Sequence, residues 1–181
     1  MSGTAADRAN NPDEILDLVD EDDRVIGTVR KAATDTDPSL VHREVAILVH
    51  REGQLLWQLR SAAKTVMPLT WDVASAGHVG AGEAPEVAAR RELREELGLD
   101  VAVVALERRL VRAPGETYFA HVFAAAAPGR VEPVIDADEV ASIEWCDEAG
   151  YRRWQADGRP LSPVGRELAE AFWSGRWEVS G

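Results

Sequence analysis

The sequence predicts an α+β domain in which a mixed β-sheet is sandwiched by helices. Hydrophobic residues make up 45% and charged residues 29% of its 181 residues, which is typical of a globular domain with its own core. The predicted elements run in the order strands, one helix, strands and closing helices, without the regular alternation of a Rossmann-type fold. We expect one domain over residues 13–181, preceded by a flexible tail over residues 1–12.

Strands dominate the first third of the chain. The segments "EILDLVD" and "RVIGTVR" flank the turn-like "EDD" and predict a β-hairpin. The segments "VHREVAILVH" and "LLWQLR" flank "REGQ" and predict a second hairpin. The loop "TDTDPS" separates the two hairpins, and "WDVASAG" predicts one short strand that ends at Gly77.

The hydrophobic pattern becomes helical in the next segment. Pro85 is acceptable in a first helical turn, helix formers continue to Leu97, and Gly98 can end the helix as a left-handed cap. We predict a helix over residues 84–97 and name it the glutamate helix. Beyond it, "VAVVALERRLV", "TYFAHVFAAAA" and "EVASIEWC" predict strands, and "DEAGYRRWQADG" and "SPVGRELAEAFWSG" predict two closing helices.

The charge balance excludes several classes of partner. With 32 acidic and 20 basic residues, the net charge of −12 opposes long nucleic acids and acidic membranes. The chain has one cysteine, Cys146, which rules out an internal disulfide and fits a reducing compartment. We expect a cytoplasmic protein that does not bind membranes. A small phosphorylated substrate would need a local cluster of Arg and Lys, or bound divalent metal ions.

Three carboxylates share one side of the glutamate helix. At about 100° per residue, Glu92, Glu95 and Glu96 fall within an arc of about 100°, and a separate apolar stripe can pack on the sheet. Carboxylate oxygens are the ligands that Mg²⁺ and Mn²⁺ prefer. The alternative is a solvated helix face, on which Glu and Arg pairs support helicity by about 0.2–0.5 kcal/mol each.

Two neighbouring residues support the metal interpretation. Arg91 precedes the carboxylates and can pair with Glu95 along the helix or with Glu83 at its start, which would hold the loop against the helix. Gly77 allows a close backbone approach, so its carbonyl is a further candidate metal ligand.

The spacing of these residues is more specific than the cluster alone. The stretch reads Gly, five residues, Glu, seven residues, then Arg-Glu-apolar-any-Glu-Glu-any-Gly-apolar. The residues that fill this pattern are Gly77, Glu83, Arg91, Glu92, Leu93, Glu95, Glu96, Gly98 and Leu99. This is the Nudix box, and the chain resembles the Nudix hydrolases.

The resemblance implies a fold, a cofactor and a reaction. In the family the box forms a loop-helix-loop that carries metal ions within an α/β/α sandwich. By resemblance, Glu92, Glu95, Glu96 and the Gly77 carbonyl bind Mg²⁺ or Mn²⁺. The implied reaction is attack of water at phosphorus in a nucleoside diphosphate derivative. A homodimer would be ordinary for the family.

Several family members also use a glutamate outside the box as the general base. Glu116 and Glu139 are both candidates, and the sequence does not separate them. The candidate catalytic residues are Glu83, Arg91, Glu92, Glu95, Glu116 and Glu139.

The segment upstream of the box, "RSAAKTVMPLTWDVASAGH", is similar to isopentenyl diphosphate isomerase, an enzyme with the Nudix fold. In the isomerases the residues that match Arg60 and Lys64 grip the pyrophosphate, so both are candidate phosphate ligands. Trp71 and His78 are further candidate substrate contacts.

The chain departs from the isomerases at residues that carry their chemistry. Ala76 stands in place of a cysteine, Asp35 in place of a metal-binding histidine and Tyr118 in place of the catalytic glutamate. His42 matches another metal-binding histidine of the isomerases, and we interpret it here as a structural residue of a strand. The isomerases tend to have an eroded box, whereas this box is complete. We predict a Nudix pyrophosphohydrolase, with an isomerase and a non-catalytic nucleotide-binding module as alternatives.

Overall fold

The structure, a computed structural model, describes residues 11–127, 129 and 133–179. Residues 1–10 of the predicted tail lie outside the described residues. The strands are β1 (Ile15–Val19), β2 (Val25–Arg30), β3 (His42–Arg51), β4 (Gln54–Arg60), β5 (Trp71–Val73), β6 (Ser75–His78), β7 (Val104–Ala113), β8 (Glu116–Ala126) and β9 (Val140–Cys146). The helices are α1 (Lys31–Thr34), α2 (Pro85–Leu97), α3 (Glu148–Ala156) and α4 (Pro163–Trp173).

The main sheet is mixed, which confirms the predicted α+β class. Its central order is β5-β4-β3-β8-β7, with β6 also paired to β3 and β9 also paired to β4. The β3–β8 pair is parallel, and the other pairs are antiparallel. The β1–β2 hairpin forms a separate two-stranded sheet.

The β3–β4 hairpin is paired only beside its turn. His50 pairs with Leu55 and Arg51 with Gln54, and beyond these residues β3 pairs with β6 while β4 pairs with β5 and β9. The prediction of one strand over "WDVASAG" is therefore wrong, since this segment forms β5 and β6, divided at Ala74. The reason is tertiary: the two halves pair with different strands of an opened hairpin. The helix α1, only four residues long, was also not predicted.

The glutamate helix forms as predicted and is α2. Pro85 lies in its first turn, and Gly98 ends it with φ 63°, in the left-handed region. Ala89, Leu93 and Leu97 are fully buried in the core between α2 and the sheet. Each buried leucine contributes about 1.5–3 kcal/mol, which fixes the rotation of the helix about its axis.

The other face of the sheet is covered by α3 and α4. Trp57 is fully buried there, stacked on Tyr151 at 5.6 Å and in edge contact with Trp154 at 5.9 Å. Helices thus lie on both faces, as the sandwich prediction requires. Among the helices of the described residues, none has the length and apolar character of a membrane span.

Candidate metal and diphosphate site

A cavity of about 1310 Å³ opens where β3 and β4 separate. Its walls come from α2, the 61–70 loop between β4 and β5, the β7–β8 turn and the start of α4. These segments are distant in sequence, so the cavity exists only in the folded chain. Its volume exceeds the range of about 300–1,000 Å³ that is common for small-molecule pockets.

The three carboxylates of the glutamate helix line this cavity. The Glu92 and Glu95 side chains are 13% and 46% exposed, and Glu96 is 4% exposed. Burial raises the pKa of Glu92, and the neighbouring charge of Glu96 raises it further. Burial also raises the pKa of Glu96, whose hydrogen bond from the Gln58 amide is long, at 3.5 Å. Buried carboxylates whose pKa values stay raised despite neighbouring hydrogen-bond donors and cations fit a hard divalent cation.

The backbone at Gly77 lies directly against this carboxylate cluster. A Cβ atom built on Gly77 would overlap the carboxylate of Glu92. Gly77 belongs to β6 and pairs with Val45 of β3, so its position is set by the sheet. The predicted close approach is therefore present, and it places a peptide group beside the candidate metal ligands.

Arg91 joins the loop before α2 to the helix itself. Its Nε and Nη2 atoms each donate to the Glu83 carboxylate at 3.0 Å, and Nη2 also donates to the His78 carbonyl at 3.0 Å. Nη1 donates to Glu92 at 2.6 Å and, at 3.4 Å, to Glu95. Both predicted partners are thus contacted, with Glu83 in the bidentate geometry. Arg91 fixes the loop against the helix and holds the carboxylates of Glu92 and Glu95 in place.

Glu83 is also held by the backbone of its loop. Burial opposes its ionisation, but hydrogen bonds from Arg91 and from the Gly80 amide, the latter at 3.1 Å, lower the pKa of Glu83 overall. Glu83 therefore stays charged and acts as an anchor for Arg91.

The two predicted phosphate ligands line the cavity, and each already has an oxygen partner. Arg60 donates through Nε and Nη2 to the Val66 carbonyl at 3.2 and 3.0 Å. The Lys64 ammonium contacts the Glu139 carboxylate. Both cations lie in the 61–70 loop or at its start, where a diphosphate can reach them.

The two candidate bases lie in different parts of the cavity. Glu139 is close enough to Glu96 for its charge to raise the pKa of Glu96. Burial and the charges of Glu44 and Asp35 raise the pKa of Glu116, whose charged neighbours also include His42 but none of the three helix carboxylates. Of the two, only Glu139 is close enough to act on the pKa of a carboxylate of the glutamate helix.

The sequence reasoning missed Glu44, which joins two histidines. Donor atoms of His42, Glu44 and His78 lie within 4.8 Å of one another. Burial lowers the pKa of His78 to about 4, so its imidazole is neutral near pH 7. Two imidazoles and a carboxylate suit a transition metal, a role that the interpretation of His42 as structural did not include. The spacing of His42 and Glu44, two apart on one strand face, was the available signal, but the Glu44–His78 pairing needs the β3–β6 register.

Trp71 is not among the described residues that line the cavity, which argues against the predicted contact with the substrate. Its ring packs on Trp154 at 4.9 Å, and the Arg159 guanidinium lies over it at 5.5 Å. It belongs to the core beneath α3 and α4, because alternation along β5 turns Asp72 into the cavity instead. Of the other predicted substrate contacts, His78 lines the cavity.

Comparison with known proteins decides the family. A family model described as the NUDIX domain matches residues 40–164. The chain belongs to the Nudix family. Its glutamate helix and the loop from Gly77 are accordingly the Nudix box seen in three dimensions.

The known proteins similar to this Nudix chain carry two kinds of name. "Isopentenyl-diphosphate Delta-isomerase 2" from Photorhabdus laumondii is 38% identical over 141 residues, which cover 74% of this chain and 77% of that protein. An uncharacterised Nudix hydrolase from Pseudomonas aeruginosa is 33% identical over 159 residues, which cover 80% of this chain and 94% of that protein. A crystal structure from Deinococcus radiodurans has a TM-score of 0.73 at 27% identity and covers 87% of this chain and 98% of that one.

Proposed function

We propose that the protein is a Mg²⁺- or Mn²⁺-dependent pyrophosphohydrolase. It cleaves a diphosphate linkage in a nucleoside diphosphate derivative or a related small phosphorylated metabolite. The observation that carries the proposal is the arrangement of the complete Nudix box, in which Glu92, Glu95 and Glu96 line one cavity and Arg91 contacts Glu83, Glu92 and Glu95. Glu92 and Glu96 are buried and their pKa values are raised despite the cations and donors around them, as expected for groups that hold a metal ion.

Each residue of the site has a role in this proposal. Glu92, Glu95 and Glu96, with the Gly77 carbonyl, would hold the metal ion, which supplies charge neutralisation on the phosphate oxygens and activation of water. Arg60 and Lys64 bind the diphosphate oxygens by charge-assisted hydrogen bonds. The Arg91–Glu83 pair holds the loop against the helix. His78 contacts the substrate.

A glutamate beside the bound water would accept its proton during attack at phosphorus. We assign this role to Glu139 because it lies near Glu96 and lines the cavity. Glu116 is the alternative base. Exchange of each for glutamine separates them, since loss of the base should cost about 10²–10⁴ in kcat.

A substrate panel tests the proposed function. Nucleoside di- and triphosphates, nucleotide sugars, dinucleotides and prenyl diphosphates are assayed with and without Mg²⁺, with wild type and with Glu95→Gln. Glu86→Gln is the matched control, since Glu86 lies on the same helix but is 62% exposed and outside the cavity lining. The proposal requires Mg²⁺-dependent turnover that Glu95→Gln lowers and Glu86→Gln leaves unchanged. Equal turnover by all three proteins would contradict the metal site.

Isopentenyl diphosphate isomerisation is the second candidate, favoured by the names of similar proteins and by His42 and His78. Ala76 and Tyr118 disfavour it, because they line the cavity where the isomerases carry a cysteine and a glutamate. Formation of allylic diphosphate at an enzyme-like rate would establish it. Nucleotide binding that persists in chelator, without turnover of any panel member, would instead indicate a regulatory module. A cytoplasmic location and a homodimer remain part of the proposal, to be tested by fractionation and light scattering.

A further inference from the structure

A buried ion pair joins the candidate phosphate ligand Lys64 to the candidate base Glu139. The Lys64 ammonium contacts one Glu139 carboxylate oxygen, and the two side chains are only 12% and 11% exposed. Both residues line the cavity, although 75 positions separate them in sequence. In the unliganded protein each group therefore neutralises the other and neither is free for its proposed role.

The backbone around Glu139 is tied to the glutamate helix. The Asp136 amide donates to the Glu96 carbonyl at 3.0 Å, and the Glu139 amide donates to the Asp136 carbonyl at 3.0 Å. The carboxylate of Glu139 is thus held within electrostatic range of Glu96 by short backbone links. Glu139 does not need to move far to meet a water molecule beside the box.

The backbone around Lys64 belongs to the 61–70 loop. The base of the loop is fixed, since the Ser61 amide donates to the Glu139 carbonyl at 2.9 Å and the Leu69 amide donates to the Arg60 carbonyl at 3.1 Å. Between these links, Met67 has φ 49° and Leu69 has φ 53°, a conformation that costs non-glycine residues free energy and is concentrated at functional sites. Lys64 therefore sits on a strained segment whose ends are held in place.

A bound diphosphate would compete with Glu139 for the Lys64 ammonium. A diphosphate presents several anionic oxygens in the same cavity, and lysine binds phosphate as a compact point charge. Arg60 at the start of the loop has the same choice between a loop carbonyl and the ligand. A ligand that takes Lys64 leaves the Glu139 carboxylate without its partner, beside the box.

We propose that the Lys64–Glu139 ion pair couples diphosphate binding to release of the base. When the diphosphate takes Lys64, the freed Glu139 carboxylate accepts a proton from the attacking water. The water oxygen bonds to phosphorus, and the bridging P–O bond breaks with its electron pair on the departing phosphate. Lys64 is then a positioning residue for Glu139 as well as a phosphate ligand. The proposal rests on the proposed hydrolase function of this site.

If Glu139 and the diphosphate compete for Lys64, a substitution at the proposed base should strengthen diphosphate binding rather than weaken it. Removing the competitor should tighten ligand binding, because the apparent affinity is reduced by the fraction of molecules in which Lys64 is occupied. If Lys64 is free in about one third of unbound molecules or fewer, Glu139→Gln tightens diphosphate binding by about threefold or more. The same substitution lowers kcat, so binding and turnover change in opposite directions.

Calorimetry of the full chain with methylenediphosphonate and Mg²⁺ tests this inference without turnover. This probe is a diphosphate whose bridging oxygen is replaced by carbon, so it is not hydrolysed. Wild type, Glu139→Gln, Lys64→Gln and the Lys64→Gln/Glu139→Gln double variant form the main comparison, and Lys64→Arg with and without Glu139→Gln serves as its control. We expect Glu139→Gln to tighten binding in the Lys64 background and to have no such effect in the Lys64→Gln background. Lys64→Arg, which keeps the charge, should restore the tightening.

Three results would overturn the inference. Weaker or unchanged binding by Glu139→Gln would show that the pair only supports the fold of the site. Equal tightening in the Lys64→Gln background would show a general effect of removing negative charge. Lack of binding by folded wild type would show that the loop does not receive a diphosphate. Each is distinguishable from failure of the proposed function, which is decided separately by Glu95-dependent hydrolysis of the substrate panel.

Discussion

Replacing Glu96 by glutamine should make the metal-free protein more stable. Glu96 is 4% exposed, and burial raises its pKa from 4.5 although Ser75 and the Gln58 amide, the latter at 3.5 Å, offer it hydrogen bonds. Each unit by which folding raises a carboxyl pKa costs about 1.4 kcal/mol of stability once the group is ionised in both states. Glutamine keeps the shape and removes the charge.

The expected gain is about 1.4 kcal/mol or more in chelator at a pH above the raised pKa. For a chain of this size, that corresponds to an increase in Tm of about 3–6 °C. The direction in which stability changes with pH follows from the difference in proton binding between the folded and unfolded states. The folded state binds more protons than the unfolded state between the unfolded pKa and the raised folded pKa, so wild-type stability falls as pH rises through this window. Below this pH window the free energies of unfolding of the wild type and of Glu96→Gln should become equal.

Thermal unfolding in chelator and in millimolar Mg²⁺ provides the assay. Wild type should gain stability with Mg²⁺, because the ion binds the folded state, whereas Glu96→Gln should gain little. Glu95→Gln is the matched control, since Glu95 is 46% exposed and should lose metal stabilisation without the gain in chelator. If Glu96→Gln is less stable than wild type in chelator at high pH, protein contacts satisfy this carboxylate and the argument for a cation is refuted.

Three further substitutions test other parts of the site. Gly77→Ala puts a Cβ atom into the Glu92 carboxylate, so Mg²⁺ affinity measured by calorimetry should fall at least about tenfold, and unchanged affinity would contradict the close approach. Arg91→Lys loses the bidentate contact to Glu83, so the free energy of unfolding measured in urea should fall by about 1.5–3 kcal/mol and kcat/KM should also fall. Unchanged stability and activity would show that other contacts hold the loop. Trp71→Phe should cost about 1 kcal/mol of stability and leave KM within about twofold, whereas a large rise in KM would return Trp71 to the substrate site.

The sequence was most informative where structure is local. The limits of α2 follow from Pro85, the helical period and the left-handed cap at Gly98, all within one segment. The contact between Arg91 and Glu83 was also foreseen as one of two options, because only the first turns of α2 separate them. Position within a short loop-helix unit is set by neighbours in the chain, so one sequence suffices.

Pairing between residues that are distant in the chain could not be predicted from local sequence signals. The division of "WDVASAG" into two strands depends on the opening of the β3–β4 hairpin, which no local signal reports. Glu44 looked like an ordinary polar residue in an alternating strand until β6 placed His78 opposite it. The pairing of Lys64 with Glu139 likewise requires the β4–β9 register, in which Arg60 lies beside Val140.

The chemistry of the cavity separates the two activities named among similar proteins. Isomerisation needs an acid and a base around an apolar alkene, but Ala76 has no exchangeable proton. Burial, with the charges of Glu44 and Glu116, raises the pKa of Tyr118, which makes its phenol a poorer acid than in water. Hydrolysis instead needs carboxylates that hold a cation and one that receives a proton, and these line the same cavity. We therefore expect the residues that differ from the isomerases to disfavour proton transfer to carbon, and the residues kept from the Nudix box to favour the proposed attack at phosphorus.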